Sequence, residues 1–173
     1  MFKYGGFKLF LIKTILGLVL AGTGLFVVVS LGTHNSEDPG IGKFQSFGEI
    51  TNFFGHFGAL TSSVLLVLFG TYSYVLGFFV SFIGIALFFG ILVKNIFLKI
   101  FLILFSSIFF NHFFNETNFY FISTGIVYKA VANILEVFLS NYDLVFTETY
   151  LFRFVVSLLS LFLSIIILFF VFG

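Results

Sequence analysis

Residues 53–93 run for about forty positions without one acidic residue, lysine or arginine, roughly twice what a single helix needs to cross a bilayer. No water-soluble fold of this size can bury such a stretch and still present a polar exterior, and the rest of the chain makes the difficulty worse. Of its 173 residues, 60% are hydrophobic and 9% charged, with a mean hydropathy of +1.21. The chain is therefore an integral membrane protein. Its apolar runs are continuous rather than alternating, and no row of short amphipathic strands is present, so the spanning form is helical. The expected fold class is all-α and polytopic.

Charge and composition exclude several functions. A formal charge of +1 with dispersed lysines does not make a nucleic-acid surface, so direct binding of nucleic acid by this chain is not expected. Cysteine is absent, which removes disulfides, thiolate metal sites and cysteine nucleophiles.

Four spans are predicted. The first, residues 9–31, has Lys3 and Lys8 before it and Lys13 within its first turns, and is too long for the apolar core of a cleaved signal peptide, so it reads as a retained helix. Its Gly17, Ala21 and Gly24 leave one low side where another backbone could approach, or reflect only the usual glycine content of membrane helices. An outer loop, residues 32–52, holds Glu37, Asp38 and Glu49 against Lys43 alone, and Pro39 stiffens the turn after the acidic pair. Adjacent carboxylates do not converge on one ligand and no calcium-loop pattern surrounds them, so neither catalysis nor metal binding is expected there.

Residues 53–69 carry Gly55, His56 and Gly58 and are expected to lie at the interface or re-enter. The second span then occupies residues 70–93. Within it Gly70, Ser73, Gly77, Ser81 and Gly84 follow spacings of three, four, four and three, a helix-packing seam of small residues. After Lys94, Asn95 and Lys99 comes a third span at residues 96–114, with Asn111, His112, Asn115 and Glu116 marking its exit. Residues 123–140 read as an amphipathic helix, with Val127, Val131, Ile134, Leu135 and Phe138 on one side and Lys129, Asn133, Glu136 and Ser140 on the other. Such a helix lies along the membrane surface or packs among the spans as a re-entrant segment. The fourth span, residues 150–172, carries Ser157, Ser160 and Ser164 as a weakly polar stripe.

On this four-span reading five lysines and no acid lie on the side of the N-terminus, and all seven acids lie opposite. The positive-inside rule then makes both termini cytoplasmic. An odd number of spans would bring acids to the lysine side.

The residues that could carry chemistry do not assemble into a pattern. His34, His56 and His112 come from three different connections, without helical ligand spacing, so no metal site is expected. No serine stands in a nucleophile-elbow context. The spans lack an ionisable group near their centres, which weighs against a channel or proton pump.

One stretch, residues 33–74, has a more specific pattern. It resembles the N-terminal four-span membrane domain of the FtsK-type DNA translocases. That family's Ser-Pro-Ser-Asp-Pro-like loop after the first span is matched by Asn35, Ser36, Glu37, Asp38 and Pro39. Its Asn, Gly and Gly-Ala are matched by Asn52, Gly55, Gly58 and Ala59, its Phe-Gly by Phe69 and Gly70, and its following aromatic by Tyr74. The chain departs from the pattern in having Gly77 where the family often has proline, and in lacking the first proline of the loop. The later segment, with Gly125 near its start, is similar to the family's last periplasmic segment.

The resemblance implies a membrane anchor that tethers a translocase at the division septum in the bacterial inner membrane. It also implies homo-oligomers and contacts with other division proteins. The motor's P-loop does not occur here, so the chain looks like the anchor alone, either free-standing or part of a longer product, with no ATPase activity and no cofactor. The alternative is a small polytopic subunit of a respiratory or transport complex, since phenylalanine-rich, proline-poor chains of this size occur there too.

Overall fold

The computed structural model describes residues 4–42, 49–91, 93–116, 123–140 and 150–172. These form six helices: α1 (Tyr4–Gly32), α2 (Gly55–Phe69), α3 (Ser73–Phe88), α4 (Ile96–Glu116), α5 (Ile126–Ser140) and α6 (Tyr150–Phe172). Three of them contain segments long and apolar enough to cross a membrane, Phe7–Gly32, Ile96–Asn115 and Val155–Phe172. The helices α2 and α3 are shorter apolar ones. The chain divides into two compact units, Met1–Val64 with Ser73–Ile96, and Leu65–Tyr72 with Phe97–Gly173, so that α2 contributes residues to both.

The expected second span at residues 70–93 is corrected. Its helix covers Ser73–Phe88, 16 residues, because a left-handed glycine stands at each side. Gly70, with φ 62°, receives the end of α2 and donates its N–H to Leu66 O at 2.9 Å. Gly90, with φ 75°, ends α3 in a Schellman motif, where Ile91 N bonds Ala86 O at 2.8 Å and Gly90 N bonds Leu87 O at 3.0 Å. Gly70 therefore lies outside the helix whose small-residue face it was expected to open.

In the first unit α1 and α3 pack directly, and small residues set their separation. Ser73, Gly77, Ser81 and Gly84 are all buried on α3. A Cβ on Gly84 would stand 2.7 Å from both Ala21 Cα and Leu20 C, and one on Gly24 would stand 2.8 Å from Gly77 O. At Gly77 it would meet Val28 at 2.8 Å, and at Gly17 it would meet Phe88 Cα at 2.9 Å. Ascending positions on α1 thus meet descending positions on α3, so the helices are antiparallel. Without a hydrophobic force between helices in lipid, this backbone proximity supplies the dispersion energy of the pair.

The second unit is built on α4 and α6. Its buried positions are largely small and polar: Ser106 and Ser107 on α4, Ser157, Ser160 and Ser164 on α6. The Ser106 and Ser164 hydroxyls lie 2.9 Å apart. Large apolar side chains point outward instead, as at Phe97 and Phe169. This inversion of the soluble pattern follows from a solvent as apolar as the side chains themselves.

One expectation for this unit is sharpened and one changes. Asn111, one turn from the end of the apolar segment of α4, is turned inward: it is 1% exposed and donates to Ser107 O at 2.8 Å and to Phe69 O at 3.3 Å. On α5 the packed residue is Tyr128, with Val127 and Val131 half-buried, whereas Ile134 is exposed. The start of α5 fixes this rotation. Gly125 lies against the backbone of Leu68 and Phe69, and the Tyr128 hydroxyl reaches His112 Nδ1 at 3.1 Å. The side chains of Leu135 and Phe138 fall outside the described set.

Candidate functional site

The last turn of any helix leaves carbonyls without intrahelical donors. At the end of α1 several of these are satisfied from far along the chain. Asn52 Nδ2 donates to Ser30 O at 2.8 Å and to Thr33 O at 3.3 Å, and the Tyr74 hydroxyl donates to Leu31 O at 2.8 Å. Thr33 adds a local bond from its hydroxyl to Val29 O and accepts from Phe53 N through the same oxygen. Residues that follow and precede α2 in the sequence therefore converge on one helix terminus.

Asp38 holds the loop to this terminus. Its Oδ1 accepts from Thr51 N and its Oδ2 from Asn52 N, both at 2.9 Å, and the Thr51 hydroxyl lies within 3.2 Å of each oxygen. Backbone donors aimed at a carboxylate make charge-assisted bonds, which are stronger than neutral ones. Such bonds allow this carboxylate to be buried, at 6% exposure. Glu37 is exposed, so the two neighbouring acids face different surroundings. An Asx turn, Glu37 N to Asn35 Oδ1 at 3.0 Å, and the buried Pro39 shape the chain on either side of Asp38.

The loop is then fastened to α2. Ile41 N donates to Ser63 Oγ at 3.0 Å, and Gly40 lies so close to Ser63 that a Cβ would stand 2.7 Å from the serine Cβ. His34 Nδ1 lies 2.9 Å from Ser62 Oγ, and the Ser62 hydroxyl is also within 3.0 Å of Ala59 O. Gly58 leaves room for the Asn52 amide: a Cβ there would stand 2.9 Å from Asn52 Cγ. Asn52 Oδ1 accepts from Phe54 N at 3.1 Å, and Gly55 N donates to Asn52 O at 2.8 Å.

Of the residues expected from the sequence, Asp38, Pro39, Asn52, Gly55, Gly58 and Tyr74 thus gather around the end of α1, and Ala59 is buried on α2, where its carbonyl accepts from Ser62. Phe69 and Gly70 belong to the second unit and serve a different contact. There Phe69 O accepts from Asn111, Thr71 N donates to Ser123 O at 2.9 Å, and Gly70 forms an isolated antiparallel bridge with Thr124. Sequence reasoning missed Thr51, Ser62, Ser63 and Tyr72. Tyr72 is fully buried and donates to Ile103 O at 3.0 Å. None of these four stands in a distinctive local pattern; the signal for each is its distant partner.

The side-chain polar groups of Asp38, Thr51, Asn52 and Tyr74 are all engaged in internal bonds, which suits a mechanical role. Among the described residues, no group of three His, Cys, Asp or Glu is placed to hold a metal ion.

A family model described as the 4TM region of DNA translocase FtsK/SpoIIIE matches residues 11–172. No curated protein and no solved structure matches the chain.

Proposed function

The chain belongs to the family of 4TM regions of DNA translocase FtsK/SpoIIIE, and from that premise we propose that it is the membrane anchor and assembly module of such a translocase. In this role it tethers the translocase at the division septum of the bacterial inner membrane, supports homo-oligomers and meets other division proteins. It contains no P-loop to cradle ATP, so the anchor contributes position and not chemistry.

One observation carries the membrane arrangement of this reading. Asn52, before α2, and Tyr74, just after it, both bond carbonyls in the last turn of α1. A helix of 15 residues is about 22 Å long, so if α2 ran alongside α1 its two flanks could not reach the same turn. The chain instead leaves and returns at one end of α1, so α2 does not cross, and it re-enters or lies along the interface. The four crossings are then α1, α3, α4 and α6, with α5 at the interface. An even number keeps both termini on one side, the side of Lys3, Lys8, Lys13, Lys94 and Lys99, which is cytoplasmic.

Two experiments test this. Because native cysteine is absent, Ser36→Cys and Asn95→Cys can be labelled singly in intact cells. Ser36 should react from outside and Asn95 only after permeabilisation; the reverse pattern refutes the orientation. A fluorescent fusion expressed in a dividing bacterium should concentrate at septa. Uniform distribution around the envelope of dividing cells would refute the tethering role.

A further inference from the structure

The helix α5 carries an exposed apolar stripe on the side away from Tyr128. Tyr128 faces inward, with Val131 and Ala132 half-buried beside it. On roughly the opposite side, at about 100° per residue, Ile126, Ala130, Ile134 and Val137 follow spacings of four, four and three. Ile134 and Val137 are each 69% exposed and Ile126 is 55% exposed. The exposed Lys129 and Asn133 occupy a narrow polar arc between the packed face and this stripe.

The depth of α5 identifies what covers the stripe. Its start lies against the backbone of Leu68 and Phe69, Phe69 O bonds Asn111, and Tyr128 bonds His112. The apolar segment of α4 continues to Asn115, four residues and about 6 Å beyond Asn111 along the axis. The first turn of α5 is therefore level with the last turn of a membrane-crossing segment, at the boundary of acyl chains and headgroups. Interfacial helices bury their apolar faces about 5–10 Å into that boundary.

We infer that α5 lies in the outer boundary of the bilayer with three distinct faces. Tyr128 and its neighbours dock on the protein, Ile126, Ala130, Ile134 and Val137 insert among lipid acyl chains, and the arc of Lys129 and Asn133 faces water and headgroups. The partner of the stripe is lipid, and α5 couples the connection between α4 and α6 to the outer leaflet. Beyond the anchor reading, the inference requires only that α4 and α6 cross the bilayer.

Single cysteines at Ile134, Val137 and Lys129 carrying an environment-sensitive fluorophore, with the full chain in lipid vesicles, test it. Phe162→Cys, at an exposed site halfway along α6, reports separately on whether the crossing helices are in lipid. Labels at Ile134 and Val137 should be quenched about twofold more by lipids nitroxide-labelled near the headgroup than by aqueous iodide, and Lys129 should show the opposite preference. Dominant iodide quenching at Ile134 and Val137, with Phe162 still quenched by lipid, overturns the inference. Shielding of both positions from both quenchers also overturns it, and assigns the stripe to a second copy of the chain.

Discussion

Alanine in place of Gly84 tests whether backbone proximity holds α1 to α3. The new Cβ would stand 2.7 Å from Ala21 Cα and Leu20 C, where ordinary contact begins near 3.4 Å. Both partners are backbone and cannot rotate away, so the helices must separate by about 0.7 Å or more. A gap of 0.5–1 Å forfeits roughly a quarter to a half of each dispersion contact, and overpacking of this kind costs about 1–3 kcal/mol. Against this, alanine gains up to about 1 kcal/mol in helix propensity. Gly22 supplies the control, since it lies in α1 and a Cβ there would have nothing within 4 Å. Gly22→Ala should therefore be neutral or slightly stabilising, and Gly84→Ala should be destabilised relative to it by about 2 kcal/mol. Thermal loss of far-ultraviolet circular dichroism, with each variant in the same lipid nanodiscs, compares them without tryptophan. If Gly84→Ala melts with Gly22→Ala, the seam does not depend on close backbones.

Other variants address the polar knot and the turn. Asn52→Ala removes three hydrogen bonds, one to Ser30 O in the last turn of α1, one to Thr33 O just beyond it and one from Phe54 N. At about 1 kcal/mol each, it should lose roughly 3 kcal/mol in the same melting assay; an unchanged melt would show that the terminus of α1 is capped in another way. Tyr74→Phe removes only the hydroxyl bond to Leu31 O and should cost about 1 kcal/mol, so a loss as large as that of Asn52→Ala would contradict the accounting. Gly70→Ala combines a left-handed φ of 62° with a Cβ 2.8 Å from Gly125 N. It should expose the segment before α5, read as faster hydrogen exchange at Ser123 and Gly125, and unaltered exchange would refute the close contact.

Much of the candidate site was legible because some residues announce a backbone requirement locally. Pro39 after an acid, and glycines at fixed distances from Asn52, indicate a loop that bends and a helix start that admits a side chain. The partners of those residues carry no such mark. Asp38 and Glu37 are adjacent and chemically alike, yet one is buried on backbone amides and the other faces outward. Ser62 and Asn111 read as ordinary polar punctuation, and each meets its partner across a separation of 28 and 42 residues respectively.

Composition alone determined that this chain lives in a membrane and is helical, because apolar runs without charge leave no alternative in water and backbone groups in lipid must be satisfied within the segment. Small-residue spacing likewise marked α3 as a helix with one low face. Only the tertiary structure decided where the long apolar stretch at residues 53–93 breaks, which helix the low face meets and how α5 is rotated. The physical reason is the same in each case. Hydropathy measures affinity for lipid and has little to say about direction within it, so the breaks and rotations are set by individual distant bonds: Asn52 and Tyr74 on the end of α1, Gly70 against Ser123, and Tyr128 on His112.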